Sequence, residues 1–128
     1  MTDLEARLGH EFRDPALLTS ALTHSSYEGG GAHYQRLEFL GDAVVQLAVS
    51  RWLYEHYPNA PEGILTRARA ALVKEGTLGG AAAKLGLGGE IRMAAGEARC
   101  GGRERPSILS DAMEAVIACG RPRAIQLA

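Results

Sequence analysis

The stretch at residues 37–54, LEFLGDAVVQLAVSRWLY, constrains the fold more than any other part of the sequence. Its apolar residues recur with the period of an α-helix and do not alternate as they would in a strand. They lie on nearly all sides of that helix, which is typical of a helix buried in the middle of a bundle. Glu38, Asp42 and Arg51 interrupt the run. We therefore do not expect this helix to cross a membrane.

The rest of the chain also favours helices, because we find no strand alternation and no internal repeat. Asp14 followed by Pro15 is typical of a helix start. We therefore predict an all-α helical bundle in a single domain at residues 1–119, followed by a poorly ordered tail at residues 120–128. The predicted helices include one near the N-terminus, one starting at Pro15, and those at about residues 34–57, 62–73, 75–85 and 108–118, with an irregular stretch at 90–105.

Composition excludes several classes of protein. The chain has 14 basic and 15 acidic residues and a net charge of −1, so net charge alone will not hold it on nucleic acid or an anionic membrane. Its two cysteines, Cys100 and Cys119, lack the spacing of a zinc finger or a disulfide framework. The first residues resemble no signal peptide. We therefore expect a cytoplasmic protein without a membrane segment.

Acidic residues inside apolar helices are the strongest sign of function. Glu38 and Asp42 are four residues apart, and Asp111 and Glu114 are three apart, so each pair shares one helix face. Four converging carboxylates would form a site for Mg²⁺ or Mn²⁺, and such sites suit phosphoryl chemistry. Two alternatives remain open at this point. The acids could form a solvated face, or they could be neutralised by nearby arginines: Arg36, Arg51, Arg67 or Arg69.

Several blocks of the sequence resemble one family. LEFLGDAV at 37–44 resembles the signature stretch of ribonuclease III, the double-stranded RNA endonuclease. ALTHSSY at 21–27, EGILTRARAALV at 62–73 and PSILSDAMEAVI at 106–117 follow in the family's order and spacing. The resemblance, which covers about residues 4–119, implies a helical bundle that forms a two-fold dimer. It also implies cleavage that requires Mg²⁺, with Mn²⁺ as a substitute, and leaves 5′ phosphates and two-nucleotide 3′ overhangs.

The resemblance also assigns roles to individual residues. Glu38, Asp42, Asp111 and Glu114 match the family's metal-binding acids, with Asp42 and Glu114 as the catalytic ones. These are the same four acids that their spacing selects. The resemblance also places Gln35, where many members have Glu, and Glu62 at the edge of the cleft, and it places Phe39 at the dimer interface, with an ordinary core position as the alternative. Arg67 and Arg69 lie in a family-like block and could contact either RNA or the carboxylates. Arg103 belongs to an arginine cluster that could contact RNA or could form a solvated loop.

The expected activity is therefore that of a homodimeric endoribonuclease without a nucleotide cofactor, acting on ribosomal and other structured RNA. One alternative is a non-catalytic RNA-binding or ribosome-associated module with the same fold. Another is an inactive truncated product, because the sequence after Cys119 stops resembling the family. The resemblance includes no separate double-stranded RNA-binding domain, so we expect weak, salt-sensitive binding of RNA.

Overall fold

The computed structural model describes residues 2–120 and confirms an all-α fold within them. No strand occurs in this range, where the only β-type pairing is an isolated bridge between Thr23 and Arg92. The helices are α1 (Asp3–Leu8), α2 (Pro15–Ala21), α3 (Gln35–His56), α4 (Glu62–Val73), α5 (Glu75–Lys84), α6 (Ala95–Arg99) and α7 (Pro106–Cys119), with 3₁₀ turns at Leu87–Glu90 and Gly102–Glu104.

The helix starts follow from their capping residues. The side chains of Thr2 and Glu5 form a reciprocal capping box at the start of α1. The Asp14 side chain accepts a hydrogen bond from the backbone N–H of Leu17, with Pro15 at the first helical position. The predicted start of α2 at Pro15 is confirmed.

Helix α7 forms the centre of the molecule. It packs against both α3 and α5, and one of its faces is almost entirely buried. Ala112 and Ala115 are completely buried, and these small side chains let neighbouring helices approach closely. The loop segments around Leu87 and Ile91 complete the core. Any residue on the inner face of α7 is consequently held in a close-packed environment.

The prediction that α3 is buried on all sides is wrong for a single copy of the chain. Only Gly41, Val44, Val45 and Leu53 of this helix are buried. One face of α3 packs against α7 and α4, and its outer apolar residues face solvent. An apolar pattern all round a helix cannot distinguish burial within one chain from burial against a second chain.

Other boundaries differ in smaller ways. Helix α7 begins at Pro106, two residues before the predicted start, because proline fits the first turn of a helix. The stretch predicted to be irregular contains α6 and a 3₁₀ turn. The predicted tail lies, except for Gly120, outside the described residues, so its prediction and the domain boundary at 119 stay predictions. No helix within residues 2–120 has the length and hydropathy needed to cross a membrane.

Candidate metal centre

The four candidate acids come from two helices that cross in the core. Helix α3 carries Glu38 and Asp42, and α7 carries Asp111 and Glu114. The i, i+4 spacing on α3 and the i, i+3 spacing on α7 turn each pair towards the other helix. The structure brings acids of the two helices together at the crossing, as the sequence predicts: Glu38 of α3 lies beside Asp111 and Glu114 of α7.

The crossing is made possible by Gly41, which lies between the two acids of α3. A Cβ atom at this position would collide with the backbone carbonyl oxygen of Glu114. The backbones of α3 and α7 are therefore closer here than two helices with side chains at the contact would allow. The glycine in LEFLGD brings the carboxylates of the two helices within reach of one another.

Three of the four acids form a compact cluster. One carboxylate oxygen each from Glu38, Asp111 and Glu114 lie within 4.8 Å of one another. Asp42 is exposed and falls outside this tight group, but its carboxyl group lies close enough to that of Glu114 to raise the pKa of Glu114. The site is thus three converging oxygens with a fourth acid at the solvent side.

The acids of α3 lie close to those of α7 across the crossing, and their proximity affects their protonation. Burial, followed by the interaction with the Asp42 carboxyl group, raises the pKa of Glu114 to about 8. Burial and the charge of Asp111 raise the pKa of Glu38 to about 7. Both shifts have the same cause, because a carboxyl group that is partly removed from water beside other acids is costly to ionise.

The arginines do not neutralise this cluster. Arg51 pairs with Glu55, and Nη1 of Arg69 donates to the Ser50 hydroxyl at 3.0 Å. The other ion pairs found within residues 2–120 join Arg7 with Asp3 and Glu90, and Arg105 with Glu97. The salt-bridge alternative therefore does not describe the structure. One buried and two half-buried acids without an arginine or lysine partner in the described residues are a donor set suited to a divalent cation.

Three further side chains surround the acids, and the sequence analysis assigned no site role to them. The ring of Tyr34, at the start of α3, is buried, and burial followed by the charges of Asp111 and Glu38 raises its pKa. Glu75, at the start of α5, lies close enough for its charge to raise the pKa of Asp111, though burial contributes more. The charge of a protonated His24 would have a smaller, opposite effect on the pKa of Asp111, although no hydrogen bond or ion pair joins the two side chains. In the sequence, only their positions within or beside blocks that resemble the family could have marked these residues as neighbours of the site.

The remaining candidates are not among the clustered acids. Gln35 is exposed one turn before Glu38, and Glu62 is exposed at the start of α4. Phe39 is 83% exposed. Nη1 of Arg103 donates to the backbone carbonyls of Gly88 and Ile91. The roles predicted for these residues, and RNA contact by Arg67, Arg69 and Arg103, stay predictions.

The raised pKa values predict that the metal-free protein loses stability as pH rises. Between the ordinary glutamate pKa of 4.5 and the folded values of about 7 for Glu38 and about 8 for Glu114, the folded protein holds more protons than the unfolded chain. The free energy of unfolding therefore falls as pH rises through this window. Urea unfolding in EDTA at a series of pH values from 5 to 8.5 measures this change in the free energy of unfolding. A stability that rises steadily over this range would contradict the raised pKa values of Glu38 and Glu114.

Comparison with known proteins agrees with this geometry. The family model described as ribonuclease-III-like matches residues 14–120. The chain is 58% identical over 114 residues to a protein named ribonuclease 3 from Albidiferax ferrireducens, covering 89% of this chain and 49% of that protein. It is 49% identical over 127 residues to the ribonuclease 3 of Xanthomonas axonopodis pv. citri, covering 94% and 55%.

A solved structure also matches over most of the chain. It is the nuclease domain of ribonuclease III from Campylobacter jejuni, described as having structural flexibility in a region involved in dimer formation. The TM-score is 0.85 at 46% sequence identity, over 97% of this chain and 82% of the other. The present chain spans about half the length of the curated relatives that it matches. Family model, sequence identity and structural similarity agree, and the chain belongs to the ribonuclease III family.

Proposed function

We propose that the chain is a divalent-metal-dependent endonuclease that cleaves double-stranded RNA. The observation that carries the proposal is the convergence of Glu38, Asp111 and Glu114 at the α3–α7 crossing, without an arginine or lysine partner in the described part of the chain. A divalent cation would give these oxygens a favourable partner. Mg²⁺ is the proposed ion, with Mn²⁺ as a substitute.

The residues present fit such an ion. All the donors are carboxylates, which hard cations prefer, and the exposed position of Asp42 leaves one side of the site open to substrate and water. When bound, the ion would supply charge for the scissile phosphate and a lowered pKa for an attacking water. Glu114 and Glu38 would hold the ion, and Asp42 would hold the water on the open side. No protein general base is required in this arrangement.

Cleavage of a long RNA duplex by the purified chain tests the proposal. We expect fragments with 5′ phosphates and two-nucleotide 3′ overhangs in Mg²⁺ or Mn²⁺, and none in EDTA. A single strand of the same sequence is the control substrate. Binding of the duplex without cleavage, at low salt and high protein concentration, would instead support the non-catalytic RNA-binding module. Processing of ribosomal RNA in the cytoplasm is the setting that the family resemblance suggests.

We also propose that the active form is a homodimer. Helix α4 has no buried residue in a single copy of the chain. An open groove of about 780 Å³ beside Phe39 is lined by apolar side chains that include Leu17, Leu37 and Leu40. The large apolar residues exposed on α3, on α4 or just after α3 are Phe39, Leu40, Leu47, Trp52, Tyr54, Tyr57, Ile64 and Leu72. Such a surface is more apolar than a monomer usually presents.

Phe39→Ala is expected to weaken the dimer. In the proposed interface the ring of Phe39 enters the groove of the second copy, and loss of a buried aromatic anchor costs about 2 kcal/mol or more. The dissociation constant should therefore rise by about 30-fold or more. Sedimentation velocity over a concentration series measures it, with circular dichroism to confirm the helix content. An unchanged dissociation constant would remove Phe39 from the interface.

Among the predicted RNA contacts, Arg67 is the arginine best placed for the proposal. It is exposed on α4 and makes no side-chain hydrogen bond or ion pair within residues 2–120. Arg69 and Arg103 are already engaged with Ser50 and with backbone carbonyls. Phosphate contact by an arginine would add to the salt dependence of RNA binding.

A further inference from the structure

Arg92 lies on a segment whose backbone is fixed against the part of the chain that follows α2. Its backbone N–H donates to the carbonyl of Leu22 at 2.7 Å, and its carbonyl accepts from the N–H of His24 at 2.8 Å. These two hydrogen bonds lie on either side of Thr23 and form the isolated bridge between Thr23 and Arg92. The point from which the Arg92 side chain starts is therefore held by two backbone hydrogen bonds.

The guanidinium group of Arg92 is held as well, and only by neutral groups. Its Nε and Nη2 donate to the hydroxyl oxygen of Thr23 at 3.1 and 3.0 Å. The side chain of Thr23 is buried, and its hydroxyl donates its own hydrogen to the carbonyl of Thr19 at 2.6 Å. Cζ of Arg92 lies 4.5 Å from the centre of the Tyr27 ring, which is a cation–π contact. A hydroxyl and an aromatic ring thus orient the positive charge without cancelling it.

Other arginines in the described part of the chain are engaged differently. Arg7, Arg51 and Arg105 form ion pairs with acids. The half-exposed Arg92 makes no ion pair within residues 2–120, and its Nη1 makes no hydrogen bond there. The planar fork of an arginine matches the oxygens of a phosphate, and a side chain that is already oriented loses little freedom on binding. Arg92 is therefore arranged to bind an anion.

The contacts of Thr23 relate this arginine to the metal centre. The carbonyl of Thr23 accepts from the N–H of Tyr34, directly before α3, at 3.0 Å. The carbonyl of Tyr34 in turn accepts from the N–H of Glu38 at 2.8 Å. Glu38 consequently lies one helical turn, about 6 Å along the axis, beyond Tyr34. The residue that holds Arg92 is thus bonded to the end of α3 that carries Glu38.

We propose that Arg92 binds a backbone phosphate of the RNA duplex beside the metal centre, with Thr23 and Tyr27 as positioning residues for its guanidinium group. The inference rests on the proposed function, which places the scissile phosphate at the clustered acids. The chain has a net charge of −1, and these acids repel RNA phosphates. A fixed positive group near them would hold the duplex against that repulsion. A phosphate contact positions the duplex without reading its sequence.

Duplex binding over a series of KCl concentrations is the first test. Glu114→Gln is the common background, so that the duplex stays intact in Mg²⁺. We expect Arg92→Gln to weaken binding on the order of 10-fold and to reduce the slope of log affinity against log salt by about one. Arg92→Lys should recover part of the loss, because it keeps the charge without the planar fork.

Lys84→Gln is the matched control, because it removes the same charge from an exposed position at the end of α5. Its affinity and salt slope should match those of the background. Equal affinities and slopes for Arg92→Gln and Lys84→Gln would overturn the role of Arg92. A background protein that binds no duplex at any salt concentration would overturn the proposed function and this inference together.

The second test separates RNA contact from a structural role of the same bonds. Tyr27→Phe keeps the ring beside the guanidinium group and should bind RNA like the background, whereas Tyr27→Leu should weaken binding several-fold. Equal affinity of these two variants would overturn the positioning by Tyr27. Mn²⁺ affinity, measured by titration calorimetry, should be the same for Arg92→Gln and the parent. A parallel loss of Mn²⁺ and RNA affinity, or failure of both Arg92 variants to fold, would make Arg92 a structural residue and overturn the proposal.

Discussion

Glu114→Gln is expected to lower the rate of RNA cleavage on the order of 10³-fold while the protein stays folded. Glu114 is only 8% exposed, and it contacts acids from both helices of the site. Glutamine has nearly the size and shape of glutamate, and its amide N–H can donate a hydrogen bond to Asp42. The substitution nevertheless removes one charged ligand from the proposed ion. Initial rates on a long RNA duplex in saturating Mg²⁺ measure the effect. Glu11→Gln, at an exposed glutamate away from the site, is the matched control.

The same substitution should make the metal-free protein more stable at pH 8. At that pH the parent must hold Glu114 either protonated near its pKa of about 8 or charged beside Asp42. A neutral amide avoids both costs, so the free energy of unfolding should rise in EDTA at the same time as cleavage is lost. If Glu114→Gln lowered both stability and activity, Glu114 would be a structural residue, and the metal-site proposal would lose its main ligand.

Gly41→Ala is expected to destabilise the fold by about 3 kcal/mol, equivalent to a fall in Tm on the order of 10 °C for a domain of this size. The added methyl group would collide with the backbone of Glu114, which cannot rotate away as a flexible side chain could. Helices α3 and α7 would have to separate, and the carboxyl groups that meet across them would separate with them. Thermal unfolding measures the first effect, and Mn²⁺ affinity measures the second.

Gly80→Ala provides the control for this prediction. Gly80 lies within α5, and a Cβ at this position would meet no atom within 4 Å. Alanine should stabilise an exposed helical position by up to about 1 kcal/mol relative to glycine. The two glycine substitutions should therefore change stability in opposite directions. Equal, small effects at both positions would mean that the helices are not in close contact at Gly41.

The local parts of the fold could be predicted from the sequence because their causes are local. Asp14 and Pro15 specify the start of α2, and the apolar periodicity specifies the extent of α4 and nearly that of α3. The surroundings of α3 could not be predicted in the same way. The helical period of its apolar residues shows which side chains avoid water. It does not show whether the surface that packs against them belongs to the same chain or to a second copy.

The same distinction between local spacing and the packing of distant segments applies to the candidate site. The spacing of Glu38 with Asp42, and of Asp111 with Glu114, was enough to select the four acids, because helical geometry fixes neighbours on one face. The approach of the acids of α3 to those of α7 depends on the close contact of two distant helices at Gly41, which no periodicity reveals.

The division of the acids between α3 and α7 has a consequence for synthesis of the protein. A growing chain that has completed α3 carries only half of the carboxylates, and α7 is the last helix of the described residues. The complete set of acids therefore cannot assemble until α7 has been synthesised and has docked against α3. With the proposed function, a nascent chain that still lacks α7 would be unable to cleave the double-stranded RNA of the ribosome that makes it.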